Sequence, residues 1–145
     1  MYFPKTLHFD KNGNIKRRKT VYETNYERLD KLTGNIQEFA SKTNYKKLKS
    51  SGFMDLVIEC NQKNIISLTH YYEQNGDLCP DPDMSIEIHP DRQMCEVLSY
   101  QDTYGYKQVY PNYPTKDRYY PVHKRDLNNF LRTWLNNLKQ QGFYK

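Results

Sequence analysis

Four carboxylates, Glu73, Asp77, Asp81 and Asp83, fall within eleven residues around Gly76, Pro80 and Pro82. Carboxylates gathered on one loop supply the hard oxygen donors that Mg²⁺ and Ca²⁺ take. They also imitate the charge of a phosphate backbone, so they suit a cationic groove built for nucleic acid. The bland alternative is a solvated turn in which Asp accepts from backbone N–H groups. The spacing matches no metal-binding loop. These four are therefore read as a partner-binding acidic loop, not as catalytic residues. The stretch from Asp10 to Val21 resembles a calcium loop only superficially: Gly13 is misplaced, and Val21 stands where a bidentate Glu is needed.

Thiols and imidazoles offer a second chemistry. Cys60, Cys79 and Cys95, with His89, are the candidates for a tetrahedral zinc site assembled from distant strands. Against them, the chain lacks the C-x₂-C pair usual in structural zinc sites. Cys60 alternates with core residues and reads as a small buried hydrophobe. Cys79, between Leu78 and Pro80, reads as the more exposed thiol. His70 sits on the apolar face of its strand and reads as a hydrogen-bonded core histidine. No G-x-S-x-G elbow, H-E-x-x-H pair or P-loop is present. No catalytic residues, no cofactor and no enzyme activity are expected, with zinc as the alternative.

Two basic groups complete the inventory. Lys16, Arg17, Arg18 and Lys19 are consecutive, and suit either a solvated connector or an arm that touches phosphates. Tyr106, Lys107, Tyr110, Tyr113, Lys116 and Arg118 interleave rings with cations, as do Tyr104, Tyr119, Tyr120, Lys124 and Arg125 around them. Rings stack on bases and cations meet phosphates. The same composition marks protein interfaces, or a loop packed by its own tyrosines.

These groups need a scaffold. The chain has 145 residues, 37% hydrophobic and 14% aromatic, with 14 tyrosines. That is one domain's worth of chain, with a thin core rich in rings. The net charge of +5 hides a layout: residues 1–50 carry +7, residues 51–102 carry −8 and residues 103–145 carry +6. No apolar run approaches a membrane span, no signal peptide opens the chain, and three widely spaced cysteines form no disulfide framework. A cytoplasmic protein with no membrane partner is expected.

Periodicity sets the elements. Residues 1–20 read as a hairpin turning at Asn12-Gly13, followed by the basic arm. Residues 21–50 read as helical. Thr24-x-x-Glu27 is taken as the capping box, Tyr22, Tyr26, Leu29 and Leu32 as the repeat at helical spacing, Gly34 as the stop, and Lys42 to Lys49 as a basic loop or helical turn. From Met54 the period becomes two, and residues 51–110 read as an antiparallel meander of four to five strands. The third strand is placed at Met84 to His89. Residues 111–124 are a Tyr/Pro-rich loop. Residues 125–141 are an amphipathic helix with Asp126 as N-cap, Gly142 at its end and Asn128, Asn129, Asn136 and Asn137 facing outward. The fold class is α+β, with this last helix packed on the sheet.

The block His70-Tyr71-Tyr72-Glu73-Gln74-Asn75-Gly76-Asp77-Leu78, then Pro82 to Ile86 and Met94 to Val97, resembles the YqiB-like family of small bacterial proteins. The ending Phe130-Leu131-x-x-Trp134-Leu135 is similar to that family's closing helix. The resemblance implies a small α+β domain with no catalytic residues and no established activity. Relatives with the Glu-Gln-Asn-Gly-Asp form look like proteins carried by plasmids, phages and integrative elements. The expected function is a binding accessory protein of such a mobile element, an inhibitor of a host defence nucleoprotein of the anti-CRISPR or anti-restriction kind. The expected partner is a host protein or nucleoprotein complex. A regulatory protein that binds DNA or RNA, and a small zinc protein, are the alternatives.

Overall fold

In the computed structural model, the structure describes residues 8–9, 11–16 and 18–145. Strands β1 (His8–Phe9) and β2 (Ile15–Lys16) pair as a short antiparallel hairpin around Gly13. Arg17 lies outside the described residues. Helix α1 (Val21–Thr33) follows, then one helical turn, α2 (Ile36–Phe39). Six strands form the main sheet: β3 (Asn44–Leu48), β4 (Leu56–Gln62), β5 (Ile65–Gln74), β6 (Asp77–His89), β7 (Met94–Asp102) and β8 (Gly105–Gln108). Helix α3 (Pro121–Gln140) closes the chain. The sheet is an antiparallel meander in which every strand pairs with its sequence neighbour, β3 to β8 in order. No described helix is long and apolar enough to cross a membrane.

The alternation read in the sequence decides which face is covered. Leu56, Ile58 and Cys60, then Ile66, Leu68 and His70, then Met84, Ile86 and Ile88, then Cys95 and Val97 are all buried. Tyr26, Leu29, Leu32, Ile36 and Phe39 from α1 and α2, and Leu127, Leu131, Trp134, Leu135 and Leu138 from α3, complete the same core. Each fully buried Leu or Ile contributes roughly 1.5–3 kcal/mol. Trp134 lies against His70, ring centroids 5.5 Å apart, while the His70 Nδ1 lies 3.1 Å from the Asp55 carbonyl. His70 is thus the satisfied core histidine expected.

Several expectations need correction. The sheet has six strands, because the basic stretch Lys42 to Lys49 contains an edge strand instead of a loop or helical turn. Its Asn44 to Leu48 pair with Cys60 to Leu56. Strand β6 begins at Asp77, seven residues before the expected start, so the segment read as an acidic loop is the arm of a hairpin whose turn is only Asn75-Gly76. The capping box of α1 is Thr20 with Glu23, one turn earlier than expected. Helix α3 starts at Pro121, whose fixed φ suits the first helical position, and Tyr120 replaces Asp126 as N-cap.

Asn128 is buried, not outward. Its Oδ1 accepts the Val97 N–H at 2.9 Å and its Nδ2 donates to the Lys124 carbonyl at 2.7 Å. It therefore satisfies the edge of β7 where β8 no longer pairs. Met54, in step with Leu56, Ile58 and Cys60, and Phe130, in step with Leu127, Leu131 and Trp134, would fall on the apolar faces by spacing, yet both are exposed. At the end of α3 the Phe143 N–H donates to the Leu138 carbonyl and the Gly142 N–H to that of Lys139, closing a Schellman motif around Gly142 at φ 90°.

Candidate functional site

The four-residue turn Pro90 to Gln93 closes on the pair His89 and Met94, which sets Glu87 directly opposite Glu96. Two like charges facing each other across a ladder are destabilising unless a cation joins them. Lys116, from the loop between β8 and α3, supplies it. Its Nζ lies 2.5 Å from Glu87 Oε1 and also contacts Glu96 Oε1. His89 Nε2 lies 3.0 Å from Glu87 Oε1 and 3.2 Å from Glu96 Oε1. The outer oxygens are held as well: Tyr113 donates to Glu87 Oε2 and Tyr110 to Glu96 Oε2, each at 2.5 Å. Glu87, His89 and Glu96 form the group of metal-ligating side chains that converges among the described residues.

Beside this cluster opens a cleft of about 260 Å³ whose lining joins His89, Cys95, Glu96 and Lys116 to Tyr22, Arg92, Met94, Tyr110 and Lys124. Lys124 Nζ sits 5.1 Å from the Tyr119 ring centroid, 5.6 Å from that of Tyr110 and 6.0 Å from that of Tyr22, a cation among three π-faces. The electrostatics favour fixed charge states. Burial pushes the Glu96 carboxyl up, but hydrogen bonds from Lys116 and Tyr110, the Lys116 charge and His89 outweigh it and bring it down to about 2. Burial and the Glu96 acceptor raise the Tyr110 hydroxyl, and burial and Glu87 raise that of Tyr113, so both stay protonated donors. For Lys116 burial works against the charge, yet the two carboxylates win and its value is raised. An ionised Glu96 beside a firmly protonated lysine holds cations and positions a loop; it does not exchange protons near neutrality.

A second feature lies at one end of the sheet. Strand β4 follows β5 only to His70, and β7 follows β6 only from Asp83. Residues 71–82 therefore stand out as a two-stranded arm. The β7–β8 turn lies next to it: Thr103 Oγ1 donates to Asp81 at 2.6 Å and lies 3.1 Å from the Tyr72 hydroxyl. Asp102 accepts the Tyr104 and Gly105 N–H groups at 2.8 and 3.1 Å and fixes that turn. The β7–β8 turn thus packs against the flank of the arm, below its Asn75-Gly76 tip. The arm displays Leu78, 67% exposed on the side it shares with Tyr45, Lys47, Glu59 and Tyr71, and the turn displays Tyr104, 94% exposed.

Residues 24–144, from the first turn of α1 to the penultimate residue, match the family model described as Domain of unknown function (DUF6908). The chain belongs to this family. The description assigns the DUF6908 domain no activity, and nothing in the match links it to the YqiB-like resemblance. Comparison with curated proteins and with solved structures gives no match.

Within this DUF6908 domain the residues singled out in the sequence are scattered. Glu73 and Asp77 are exposed on the arm, while Asp81 is bonded to Thr103, and Asp83 accepts from Thr69 at 2.9 Å. Cys60 and Cys95 are buried in the core, and Cys79 lies on the arm. Their sulfurs bond backbone carbonyls, Cys60 those of Ala40 and Gln62 and Cys95 that of Tyr22. His89 meets two glutamates instead of the thiols. Tyr110, Tyr113 and Lys116 fold onto Glu87 and Glu96, leaving Tyr106, Lys107 and Arg118 exposed. Arg18 and Lys19 are exposed, with Lys19 paired to Glu27, and the Lys16 backbone belongs to β2.

Sequence reasoning missed Glu87, Glu96 and the ring cage of Lys124. The first pair had a signal. Pro90-Asp91-Arg92-Gln93 reads as a turn, and counting outward from it sets Glu87 against Glu96. The cage had a partial one: Tyr110, Tyr119 and Lys124 belong to the interleaved ring-and-cation segment, but Tyr22 comes from α1, and no spacing brings it there.

Proposed function

We propose that the protein is a non-enzymatic binding protein that grips a cationic protein or nucleoprotein surface with the β5–β6 arm and the β7–β8 turn braced against it. Tyr104 carries the reading. A tyrosine 94% exposed at the apex of a turn braced by Asp102 contributes nothing to the core. Buried against a partner, it becomes a rigid anchor of the kind that dominates interface energetics. On the neighbouring arm Leu78 adds apolar area, and Glu73 and Asp77 add negative charge that steers a basic surface. The fit is to a groove that ordinarily takes nucleic acid. An inhibitor of a host defence nucleoprotein, of the anti-CRISPR or anti-restriction kind encoded by a phage or plasmid, has these properties.

Internal use of the cations favours a protein partner over direct binding of DNA or RNA. Lys116 is spent on Glu87 and Glu96, Lys19 on Glu27, Lys47 and Lys49 on Asp55, and Lys46 on the Thr33 carbonyl. A photo-crosslinking residue placed at position 104, with the exposed Val122 position as control, tests the reading in cells challenged through their nuclease defences. The expected result is one discrete adduct from position 104, lost with Glu73→Gln and Asp77→Asn, together with protection of the challenging DNA that Tyr104→Ser abolishes. Equal labelling from positions 104 and 122, with no effect of Tyr104→Ser, would sink it.

A further inference from the structure

We infer that Glu87, His89 and Glu96 form a three-ligand site for a divalent first-row transition ion, with Zn²⁺ as the type, at the point Lys116 fills with its own ammonium. This site is separate from the β5–β6 arm and the β7–β8 turn and stands or falls independently of the binding reading.

The geometry is that of a ligand set. A tetrahedral ion with bonds of about 2.0–2.1 Å needs ligand atoms roughly 3.3–3.5 Å apart. The Nε2 of His89 lies 3.0 Å from Glu87 Oε1 and 3.2 Å from Glu96 Oε1, and all three ligand atoms fall within 4.8 Å of one another. A small inward shift of an ion therefore needs little rearrangement of the side chains.

The carboxylates are also oriented from outside. Each presents one oxygen inward while a tyrosine hydroxyl holds the other, Tyr113 on Glu87 and Tyr110 on Glu96. Outer partners of this kind fix ligating groups in metal centres.

Charge and access agree. Two carboxylates and a neutral imidazole balance a divalent ion, and the Lys116 ammonium, itself a cation on both inward oxygens, marks where that charge belongs. The Lys116 side chain is one-third exposed, so the ammonium has solvent to swing into. The cleft beside His89 and Glu96 gives the ion a path and leaves a fourth coordination position open, as sites that act on a ligand keep one. The imidazole selects the class, because Mg²⁺ and Ca²⁺ prefer all-oxygen shells.

Calorimetric titration of the full chain with Zn²⁺ tests the site, with Mg²⁺ as comparison and circular dichroism as the check on folding. One equivalent of Zn²⁺ is expected, with Mg²⁺ inert. His89→Ala should weaken binding by more than about tenfold, and Tyr110→Phe with Tyr113→Phe by about tenfold. Lys116→Met and Lys116→Gln, which remove the competing ammonium, should each tighten it. Co²⁺ bound in place of Zn²⁺ should show no thiolate charge-transfer band. The site is overturned by unchanged affinity in His89→Ala, by a thiolate band, by Lys116 variants that bind no tighter, or by no binding in the wild type and both Lys116 variants.

Discussion

Glu96 is the residue whose chemistry depends most on its neighbours. Lys116 and Tyr110 from the loop, His89 and Glu87 from β6, Tyr22 from α1 and Lys124 from α3 all face it. Its carboxyl falls from an ordinary 4.5 to about 2 in the fold. A depressed value means that folding favours the ionised form. That stabilisation is complete above the unfolded value, and it is lost as pH drops from about 5 toward about 2. Urea midpoints measured across this window should fall for the wild type and change less for Glu96→Gln, which carries no titrating group there. A wild-type slope matched by Glu96→Gln would place the acid sensitivity elsewhere. Asn128 teaches the complementary lesson about reading single residues. Four asparagines on one helix look like a wet face, and their spacing cannot reveal that one of them caps the Val97 N–H of a strand edge. Polar residues that serve remote backbone groups are invisible to periodicity, because their partner lies elsewhere in the chain.

At the scale of elements, the clear periods were legible and the boundaries were not. The alternation from Leu56 to Cys60 and from Met84 to Ile88 gave the covered face, and the Leu127, Leu131, Trp134, Leu135 and Leu138 stripe gave α3. The start of α1 was misplaced for a physical reason. Thr20-x-x-Glu23 and Thr24-x-x-Glu27 both fit a capping box one turn apart, and sequence alone does not rank them. In the fold Thr20 accepts the Glu23 N–H at 3.3 Å, while the Thr24 hydroxyl donates backward to the Thr20 carbonyl at 3.0 Å. Thr20→Ala should therefore cost about 1 kcal/mol in urea unfolding, and Thr24→Ala distinctly less. The reverse order would restore the later start. Strand β3 escaped notice because its alternation is carried by Tyr45 and Lys47 against Lys46 and Leu48, residues that signal a surface loop as readily as a strand.

At the scale of the molecule, the acidic middle and basic flanks of the chain meet in space. The strands bring Glu87 and Glu96, the loop before α3 brings Lys116, and at this point the segregated charges neutralise one another. What stays outward is the end with Glu73, Asp77, Leu78 and Tyr104, which a net charge of +5 conceals. An acidic contact surface was legible as composition. Its shape was not, because an arm that stands clear of the sheet depends on where β4 and β7 stop pairing. The β3 edge of the sheet tells a different story. Strand β3 has β4 on one side and, among the described residues, no strand on the other. An open row of backbone donors and acceptors templates the stacking of further chains into fibrils. Lys47 stands on that strand and Lys49 just beyond it; both side chains stay exposed beside Asp55, and an incoming strand would have to strip their hydration. The basic stretch thereby acquires a colloidal duty. Lys47→Val should leave the melting temperature nearly unchanged while making the protein aggregate at lower concentration, as light scattering would show.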